Sequence, residues 1–218
     1  ASPVPAVAIG GVKAEHAQAA IAAGAQGIAV VSAICGQPDP EAAARAVRQT
    51  VDRARGTRVA TALSIAGSDP SGGAGIQADL KAFSARGVYG MAALTALTAQ
   101  NTTGVTGVEL MPPAFVAQQI AEVLTDIPPG AIKIGMIASG PIADAVAEAL
   151  TDYQGPIVLD SVMVAKGGHP LLPPEAVASL RKRLLPRATV LTPNLPEAAA
   201  LLGVAPATDR DGMEAQGK

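Results

Sequence analysis

Short apolar runs alternate with alanine-rich stretches along nearly the whole chain, and this alternation constrains the fold more than any other feature. An apolar run followed by a helical stretch is typical of one strand–helix unit, and successive units build a parallel sheet covered by helices. The runs at 27–32 and 156–160 are apolar over nearly their whole length, as expected for strands with helices on both faces. The sequence therefore predicts an α/β fold.

The same pattern predicts where the elements begin and end. Strands are predicted at 4–9, 27–32, 58–66, 88–97, 105–110, 131–135, 156–160 and 188–192. Helices are predicted at 13–23, 39–53, 76–86, 112–126, 140–151, 173–184 and 194–202.

Composition excludes several kinds of partner and location. Lysine and arginine number 16 against 18 acidic residues, a balance that argues against a nucleic-acid-binding surface or a polybasic membrane patch. The longest apolar run, 27–35, is far shorter than the roughly 20 residues of a membrane span. No basic segment precedes an apolar one at the start, so we expect no secretion. The single cysteine, Cys35, excludes an intramolecular disulfide, and we expect it to be a small buried hydrophobic residue rather than a nucleophile. We therefore expect a cytoplasmic protein.

The two ends of the sequence suggest a piece of a longer protein. There is no initiating methionine, and a strand-like run begins at Val4. Near the other end, Asp211 is a predicted N-cap with Glu214 at the third helical position. A helix is therefore predicted to begin only a few residues before the sequence ends. We expect the chain to be a fragment.

A domain boundary is predicted near residue 56. The helix that ends at 53–55 carries basic residues in its last turn, where they complement the helix dipole, and Gly56 follows as a stop signal. The predicted domains are therefore 1–56 and 57–218.

In the first domain, two strands are each followed by residues suited to binding an anion. Gly10 and Gly11 follow the first strand, and Val31 and Ser32 follow the second. Glycines at this place expose backbone N–H groups, and the loops after strands 7 and 8 of a (β/α)8 barrel form such a phosphate cup. A tight turn with no ligand explains the glycines equally well.

The stretches 7–11 and 24–34 resemble the C-terminal end of thiamine-phosphate synthase, a (β/α)8 barrel. The resemblance implies that residues 1–56 are the last two βα units of such a barrel, with Gly11, Val31 and Ser32 binding the thiazole phosphate. It covers only about a quarter of that enzyme, and an open quarter of a barrel cannot close its sheet. We therefore expect no synthase activity from this chain alone.

In the second domain, a glycine-dense loop at 67–75 follows a strand and opens a helix. It has neither the Lys-Ser/Thr of a Walker loop nor a G-x-G-x-x-G pattern, so neither nucleotide fingerprint applies. Its place is the C-terminal edge of a sheet, the usual binding crevice of open α/β folds. We interpret it as a mobile or ligand-contacting loop.

Six ordered stretches of the second domain resemble hydroxymethylpyrimidine/phosphomethylpyrimidine kinase, of the ribokinase-like superfamily. These stretches are 66–80, 87–91, 95–102, 133–136, 158–166 and 192–198. The resemblance implies an incomplete three-layer α/β/α domain that uses ATP and Mg²⁺ to phosphorylate an aminopyrimidine alcohol and then its monophosphate. Since this kinase makes a substrate of the synthase, a fusion of the two is the implied parent.

The resemblance also implies a substrate pocket. An aminopyrimidine presents a ring-nitrogen acceptor beside an amino donor, which a carboxamide complements, and Gln100 matches the family's pyrimidine-binding glutamine. Asp79 matches an aspartate that helps hold the pyrimidine, but it also fits a first-turn acid favoured by the helix dipole. The remaining positions implied for this pocket are Gly67, Ala74, Met136 and Val162. Without the resemblance, Gln100 is interpreted as a solvent-facing strand end, and Met136 and Val162 are interpreted as core residues.

Further positions are implied for the phosphates. Lys166 lies beside two glycines and is expected to neutralise the transferring phosphate. Asn194 and Glu197 match an Asn-x-x-Glu element that serves the Mg–ATP phosphates, although Asn194 is also a good N-cap. No residue is predicted to ligate a metal directly. The family's anion hole and catalytic base lie nearer the C-terminus, so we expect these 218 residues alone to be inactive.

The expected partners are a small aminopyrimidine and further copies of the chain, with neither nucleic acid nor membrane. Two other functions remain open on the sequence. One is a non-catalytic pyrimidine-binding module, and the other is a related kinase for pyridoxal. Gln100 and Met136 favour the pyrimidine.

Overall fold

The computed structural model describes residues 4–56, 59–163 and 172–217. The chain divides into two compact units, Ala1–Val59 and Ala60–Lys218. The division lies close to the boundary predicted near residue 56, and the assignment of two separate domains stays a prediction. Within the described residues, no helix combines the length and apolar character that a membrane crossing requires.

The first unit contains a two-stranded parallel sheet and helices of different lengths. Strands β1 (Val7–Ile9) and β2 (Gly27–Ala29) pair in register, and both are shorter than predicted. A 3₁₀ turn and helices α1, α2 and α3 complete the unit, at Ala14–His16, Ala17–Ala22, Ser32–Cys35 and Pro40–Ala54. Helix α3 begins where Asp39 Oδ1 accepts a hydrogen bond from the N–H of Ala42 (3.0 Å).

The first unit has a small core. Among its described residues only Ala17, Val47 and Val51 are buried hydrophobics. The prediction that Cys35 is buried is wrong, because Cys35 ends the one-turn helix α2, which has no buried residue, and its side chain is exposed.

The second unit is built on a mixed sheet of six strands. Their order across the sheet is β5-β4-β3-β6-β7-β8, and only the edge strand β5 runs antiparallel to its neighbour among these described strands. The strands are β3 (Thr61–Ser68), β4 (Tyr89–Gln100), β5 (Val105–Leu110), β6 (Ala131–Ile134), β7 (Ile157–Leu159) and β8 (Val190–Leu191). The predicted strands match these in place; β5 has its predicted bounds, and the others differ at one or both ends.

Helices connect the strands and supply one large core. They are α4 (Gly75–Ala85), α5 (Pro113–Asp126), α6 (Gly140–Ala149), α7 (Pro174–Ser179), α8 (Leu195–Leu202) and α9 (Arg210–Gln216). Strand β3 is buried from Ala62 to Gly67, as expected of a central strand covered on both faces. Its Leu63 and Ile65 are fully buried in a cluster that includes residues of α5, α6 and β6.

Two differences from the predicted helices lie in the C-terminal part of the chain. The single helix predicted at 173–184 is α7 followed by a π turn at Leu180–Leu184 and a 3₁₀ turn at Leu185–Arg187. The N-cap of α9 is Asp209 rather than the predicted Asp211, because Asp209 Oδ1 accepts the N–H of Gly212 (2.8 Å).

Candidate active site

A cavity of about 710 Å³ lies at the carboxyl ends of β3, β4, β6 and β7. This is the edge at which open α/β sheets bind ligands. All six residues that the sequence assigns to a substrate pocket line this one cavity: Gly67, Ala74, Asp79, Gln100, Met136 and Val162. The roles of these residues in binding stay predictions.

The glycine-dense loop is organised around the side chain of Asp69. Asp69 Oδ1 accepts hydrogen bonds from the N–H and hydroxyl of Ser71 (2.8 and 2.7 Å), and Oδ2 accepts the N–H groups of Gly73 (3.0 Å) and Ala74 (2.9 Å). Burial raises the pKa of this carboxyl, but the hydrogen bonds from Ser71, Ala74 and Gly73 outweigh it, so the pKa lies below its ordinary value. A buried carboxylate thus shapes one wall of the cavity.

A second side chain holds the base of the same loop. Gln77 Oε1 accepts the N–H of Asp69 (2.9 Å), and Gln77 Nε2 donates to Ser68 Oγ (2.7 Å). Together with the carboxylate contacts, these bonds argue against a mobile loop, and its contact with a ligand stays a prediction.

Two glycines allow close approaches that a side chain would block. Gly75 has φ +57°, and a Cβ atom there would lie 2.3 Å from the carbonyl oxygen of Gly67. A Cβ atom at Gly67 would lie 2.4 Å from Met136 Cε. The loop therefore packs directly on the end of β3, and Met136 fills the space next to Gly67.

Gln100 ends β4 with its side chain at the cavity. Thr98 Oγ1 lies 2.8 Å from the carbonyl oxygen of Ser68 and 3.2 Å from Gln100 Oε1, and its single proton is shared between these two acceptors. Gln100 Nε2 donates no hydrogen bond to any described residue. The carboxamide is thus anchored on one side and retains donor capacity toward the cavity.

Asp79 is the fifth residue of α4, and the first turn of that helix contains no acidic residue. Its Oδ2 accepts a hydrogen bond from Ser64 Oγ (2.6 Å), and its Oδ1 lies 3.1 Å from Lys133 Nζ. The interpretation of Asp79 as a first-turn acid is therefore wrong, and the carboxylate is held at the cavity by two side chains from the sheet.

Sequence reasoning missed four polar residues at this site: Ser64, Asp69, Lys133 and Asp160. Lys133 Nζ also lies 3.4 Å from Asp160 Oδ2, so one lysine bridges two carboxylates. One available signal is a single lysine in the otherwise apolar strand 131–134, since charged residues are almost never buried unless paired. Another is an aspartate directly after the apolar run of β7.

Met136 and Val162 form an apolar wall. Met136 packs in a small cluster with Ala96 and Ala138, against which Val162 also lies. The backbone of Met136 is fixed because its carbonyl oxygen accepts a hydrogen bond from the buried Thr95 hydroxyl (2.6 Å).

Asn194 and Glu197 form a capping box at the start of α8. Asn194 Oδ1 accepts the N–H of Glu197 (2.9 Å), and Glu197 Oε2 accepts the N–H of Asn194 (3.1 Å). Glu197 is buried and also contacts Ser161 Oγ and the N–H of Met163, each at 3.4 Å. The N-cap interpretation of Asn194 is confirmed, and a role toward Mg–ATP stays a prediction.

The remaining assignments concern a catalytic lysine and metal ligands. Lys166 lies outside the described residues, and its role stays a prediction. In the described part of the chain, His, Cys, Asp and Glu side chains form no group of three that could hold a metal ion. The Glu197 carboxylate is already engaged by protein donors, so we derive no metal-dependent step at this position.

In the first unit, the predicted phosphate-binding residues follow the paired ends of β1 and β2. Gly11 has φ +64°, Val31 is 73% exposed, and Ser32 is the exposed first residue of α2. The parallel register places these segments at the same edge of the small sheet. Their role in binding thiazole phosphate stays a prediction.

Comparisons with known proteins show which families and structures the chain is similar to. The family described as phosphomethylpyrimidine kinase matches residues 69–218. The thiamine biosynthesis bifunctional protein ThiED of Geobacter sulfurreducens is 46% identical over 96% of this chain and 43% of its own length. The hydroxymethylpyrimidine/phosphomethylpyrimidine kinase of Escherichia coli is 57% identical over 72% of this chain and 59% of its own length. The chain thus spans about half the length of these curated relatives.

Solved structures show the same fold. A crystal structure of phosphomethylpyrimidine kinase from Clostridium difficile is 49% identical, with a TM-score of 0.68 over 72% of this chain and 68% of that one. Pyridoxal kinase from Staphylococcus aureus in complex with ADP is 37% identical, with a TM-score of 0.65 over 73% of this chain and 58% of that one. The predicted ribokinase-like α/β fold of the second unit is confirmed, while the predicted barrel remnant in the first unit stays a prediction.

Proposed function

The chain belongs to the phosphomethylpyrimidine kinase family, and we propose that its second unit binds 4-amino-5-hydroxymethyl-2-methylpyrimidine and its monophosphate for ATP-dependent phosphorylation. The observation that carries this proposal is that the six residues implied by the family resemblance all line one cavity. They come from β3, the glycine-dense loop, α4, β4 and the segments after β6 and β7.

The polar groups of the cavity suit an aminopyrimidine alcohol. The Gln100 carboxamide offers a donor and an acceptor in one plane, which complements a ring nitrogen beside an amino group. The Asp79 carboxylate is an acceptor for the hydroxyl or amino hydrogen of the ligand, and Met136 and Val162 offer apolar contact to the ring. These roles agree with those that the family resemblance implies.

The reaction proposed for the parent protein is phosphoryl transfer. The hydroxymethyl oxygen forms a bond to the γ-phosphorus of ATP, the bond from that phosphorus to the β,γ-bridging oxygen breaks, and ADP leaves with the bond's electrons. The hydroxyl proton passes to a base, and Mg²⁺ bound with ATP supplies charge neutralisation on the phosphates. The monophosphate then accepts a second phosphoryl group on its phosphate oxygen.

We further propose that the first unit is the end of a thiamine-phosphate synthase domain. The support is the match to a bifunctional thiamine biosynthesis protein over 96% of this chain, which includes the first unit. Gly11, Val31 and Ser32 would then contact a thiazole phosphate.

Ligand binding tests the proposed function. Isothermal calorimetry of the full chain should show binding of the pyrimidine alcohol, and Gln100→Leu should weaken it at least about tenfold because one or two hydrogen bonds are lost. Gln118→Leu, at an exposed position of α5 outside the cavity, is the matched control and should bind as the wild type does.

Pyridoxal is the comparison ligand, because pyridoxal kinases are among the structural neighbours. Tighter binding of pyridoxal than of the pyrimidine, or equal loss in the Gln100 and Gln118 variants, would contradict the proposed function. The expectation that these 218 residues bind without turnover stays a prediction, and an assay with Mg–ATP and the alcohol tests it.

A further inference from the structure

Lys133 stands alone as a charged side chain within β6. Its neighbours along the strand, Ile132 and Ile134, are 1% and 0% exposed and belong to the main core. Because successive side chains of a strand point to opposite faces, Lys133 lies on the other face, where it lines the cavity. The strand thus places one ammonium group at the floor of the pocket.

The sheet register brings the partners of Lys133 together. Ser64 of β3 is directly opposite Lys133, and both contact Asp79 Oδ2, at 2.6 Å from Ser64 Oγ and 3.2 Å from Lys133 Nζ. On the other side, Asp160 follows β7 and its Oδ2 lies 3.4 Å from Lys133 Nζ. Three neighbouring strands and helix α4 therefore bring together one Asp–Lys–Asp bridge.

These groups are partly withdrawn from water. The side chains of Lys133, Asp79 and Asp160 are 23%, 17% and 33% exposed. Charges in such a setting are screened less than on an open surface, so their sum acts on a charged ligand in the same cavity.

Gly135 leaves the space that the ammonium group uses. A Cβ atom at Gly135 would lie 3.1 Å from Lys133 Nζ and 3.0 Å from Ala66 Cβ. The lysine tip therefore occupies a site bounded by two small residues, and its place is set by packing as well as by charge.

The charges around the cavity are unbalanced. Three carboxylates line it, those of Asp69, Asp79 and Asp160, and Lys133 is the only cation among the described lining residues. The net negative charge of the cavity affects the binding of an anionic phosphate ester more than that of a neutral alcohol. The positive charge of Lys133 sets the difference between the two affinities.

We propose that Lys133 is the residue that lets the pocket accept the phosphorylated form of its substrate. It does so by neutralising one of two adjacent carboxylates and by holding Asp79 in place. Lys133 is a positioning and charge-setting residue, and this inference rests on the function proposed above for the cavity.

Calorimetry on the full chain with two ligands tests the proposal: the pyrimidine alcohol and its monophosphate. Lys133→Met keeps much of the side-chain length and removes the charge. It should weaken monophosphate binding at least about tenfold more than alcohol binding, since a unit charge a few ångströms from a phosphate is worth more than a factor of ten at intermediate dielectric. Lys133→Arg keeps the charge and should retain most of the wild-type ratio of monophosphate affinity to alcohol affinity.

The Asp160→Asn variant gives an effect of the opposite sign. With one carboxylate removed, monophosphate affinity should rise at least about threefold relative to alcohol affinity. The double variant, Lys133→Met with Asp160→Asn, restores the wild-type net charge of the bridge. It should therefore recover most of the wild-type ratio of monophosphate affinity to alcohol affinity. Circular dichroism and urea unfolding verify that each variant is folded.

The outcomes separate this inference from the proposed function. If the wild type binds neither ligand, the proposed function fails and the inference fails with it. If the wild type binds both ligands but Lys133→Met weakens them equally, or the double variant recovers nothing, only the inference is overturned. Should Lys133→Met not fold, Asp160→Asn decides alone, and an unchanged ratio of the two affinities overturns the inference.

Discussion

The glycine-containing turns after β1 and β3, one in each unit, differ in what their glycines do. In the first unit, Gly10 and Gly11 have φ +95° and +64°, but a Cβ atom at either would meet nothing within 4 Å. In the second unit, a Cβ atom at Gly75 would lie 2.3 Å from a backbone oxygen, and the adjoining loop is closed around Asp69. The first turn needs glycine for its backbone conformation alone, whereas the second needs it for conformation and contact.

The difference shows how much a glycine pattern says about a site. Both turns have the sequence features of a ligand-binding loop, and the second is held by partly buried side-chain hydrogen bonds and borders the cavity described above. Side chains that satisfy a loop internally fix its shape before a ligand arrives, which lowers the entropic cost of binding.

The largest effect should come from Gly75→Ala. The new Cβ atom collides with the carbonyl oxygen of Gly67 and forces a strained backbone, so we expect the free energy of unfolding to fall by about 3 kcal/mol or more. Gly87→Ala is the matched control, because Gly87 has φ +69° but open space, and about 1–2 kcal/mol is expected there. Urea unfolding measures both, and equal losses would show that contact adds nothing.

A smaller effect is expected for Asp69→Asn. The amide loses one acceptor oxygen and brings a donor toward backbone N–H groups, so about 2 kcal/mol of stability should be lost at neutral pH. Because hydrogen bonding lowers the pKa of Asp69 in the folded state, its contribution is present above the ordinary value of 3.8 and is lost as the pH falls through the lower folded value.

The difference in unfolding free energy between wild type and Asp69→Asn should therefore begin to narrow below pH 3.8. Urea titrations at several pH values from 6 downward measure it. Asp152→Asn, at an exposed position, serves as the control and should show little difference at any pH. A gap that stays constant through the acid range would mean that folding does not lower the pKa of Asp69.

The smallest effect is expected for Gly11→Ala. Open space surrounds this position, so the cost is the backbone strain of about 1–2 kcal/mol, and pyrimidine affinity should stay within about twofold of the wild type. Calorimetry with the pyrimidine alcohol measures this. A larger fall in affinity would show that the turn at Gly11, like the loop at 67–75, affects pyrimidine binding.

The sequence predicts the fold of the second unit well because each strand is marked by its own local pattern. Strand β5 was predicted at its observed bounds, since turn residues flank it on one side and a proline-led helix on the other. The start of α9 was misplaced by two residues because Asp209 and Asp211 both suit an N-cap, and the choice depends on which one reaches a backbone N–H.

The site was predictable only in part. Gln100 and Asp79 were identified through a family resemblance, whereas the bridge from Asp79 through Lys133 to Asp160 depends on strand register and on distances across the sheet. Single-sequence patterns do not give the order of strands, so they do not show that residues 79, 133 and 160 meet. Cys35 was misjudged because composition gives the average burial of cysteine and not the place of one helix.

The alternation of Ile132, Lys133 and Ile134 has a consequence for how the sheet assembles. Slippage of β6 by one residue would drive the ammonium group into hydrocarbon and push both isoleucines into water, which is costly on each count. Misaligned pairings of this strand are thereby penalised during folding. Lys133 therefore disfavours misaligned pairing of β6 in addition to setting the charge of the cavity. Once β6 is paired in the correct register, Lys133 already lies at the cavity.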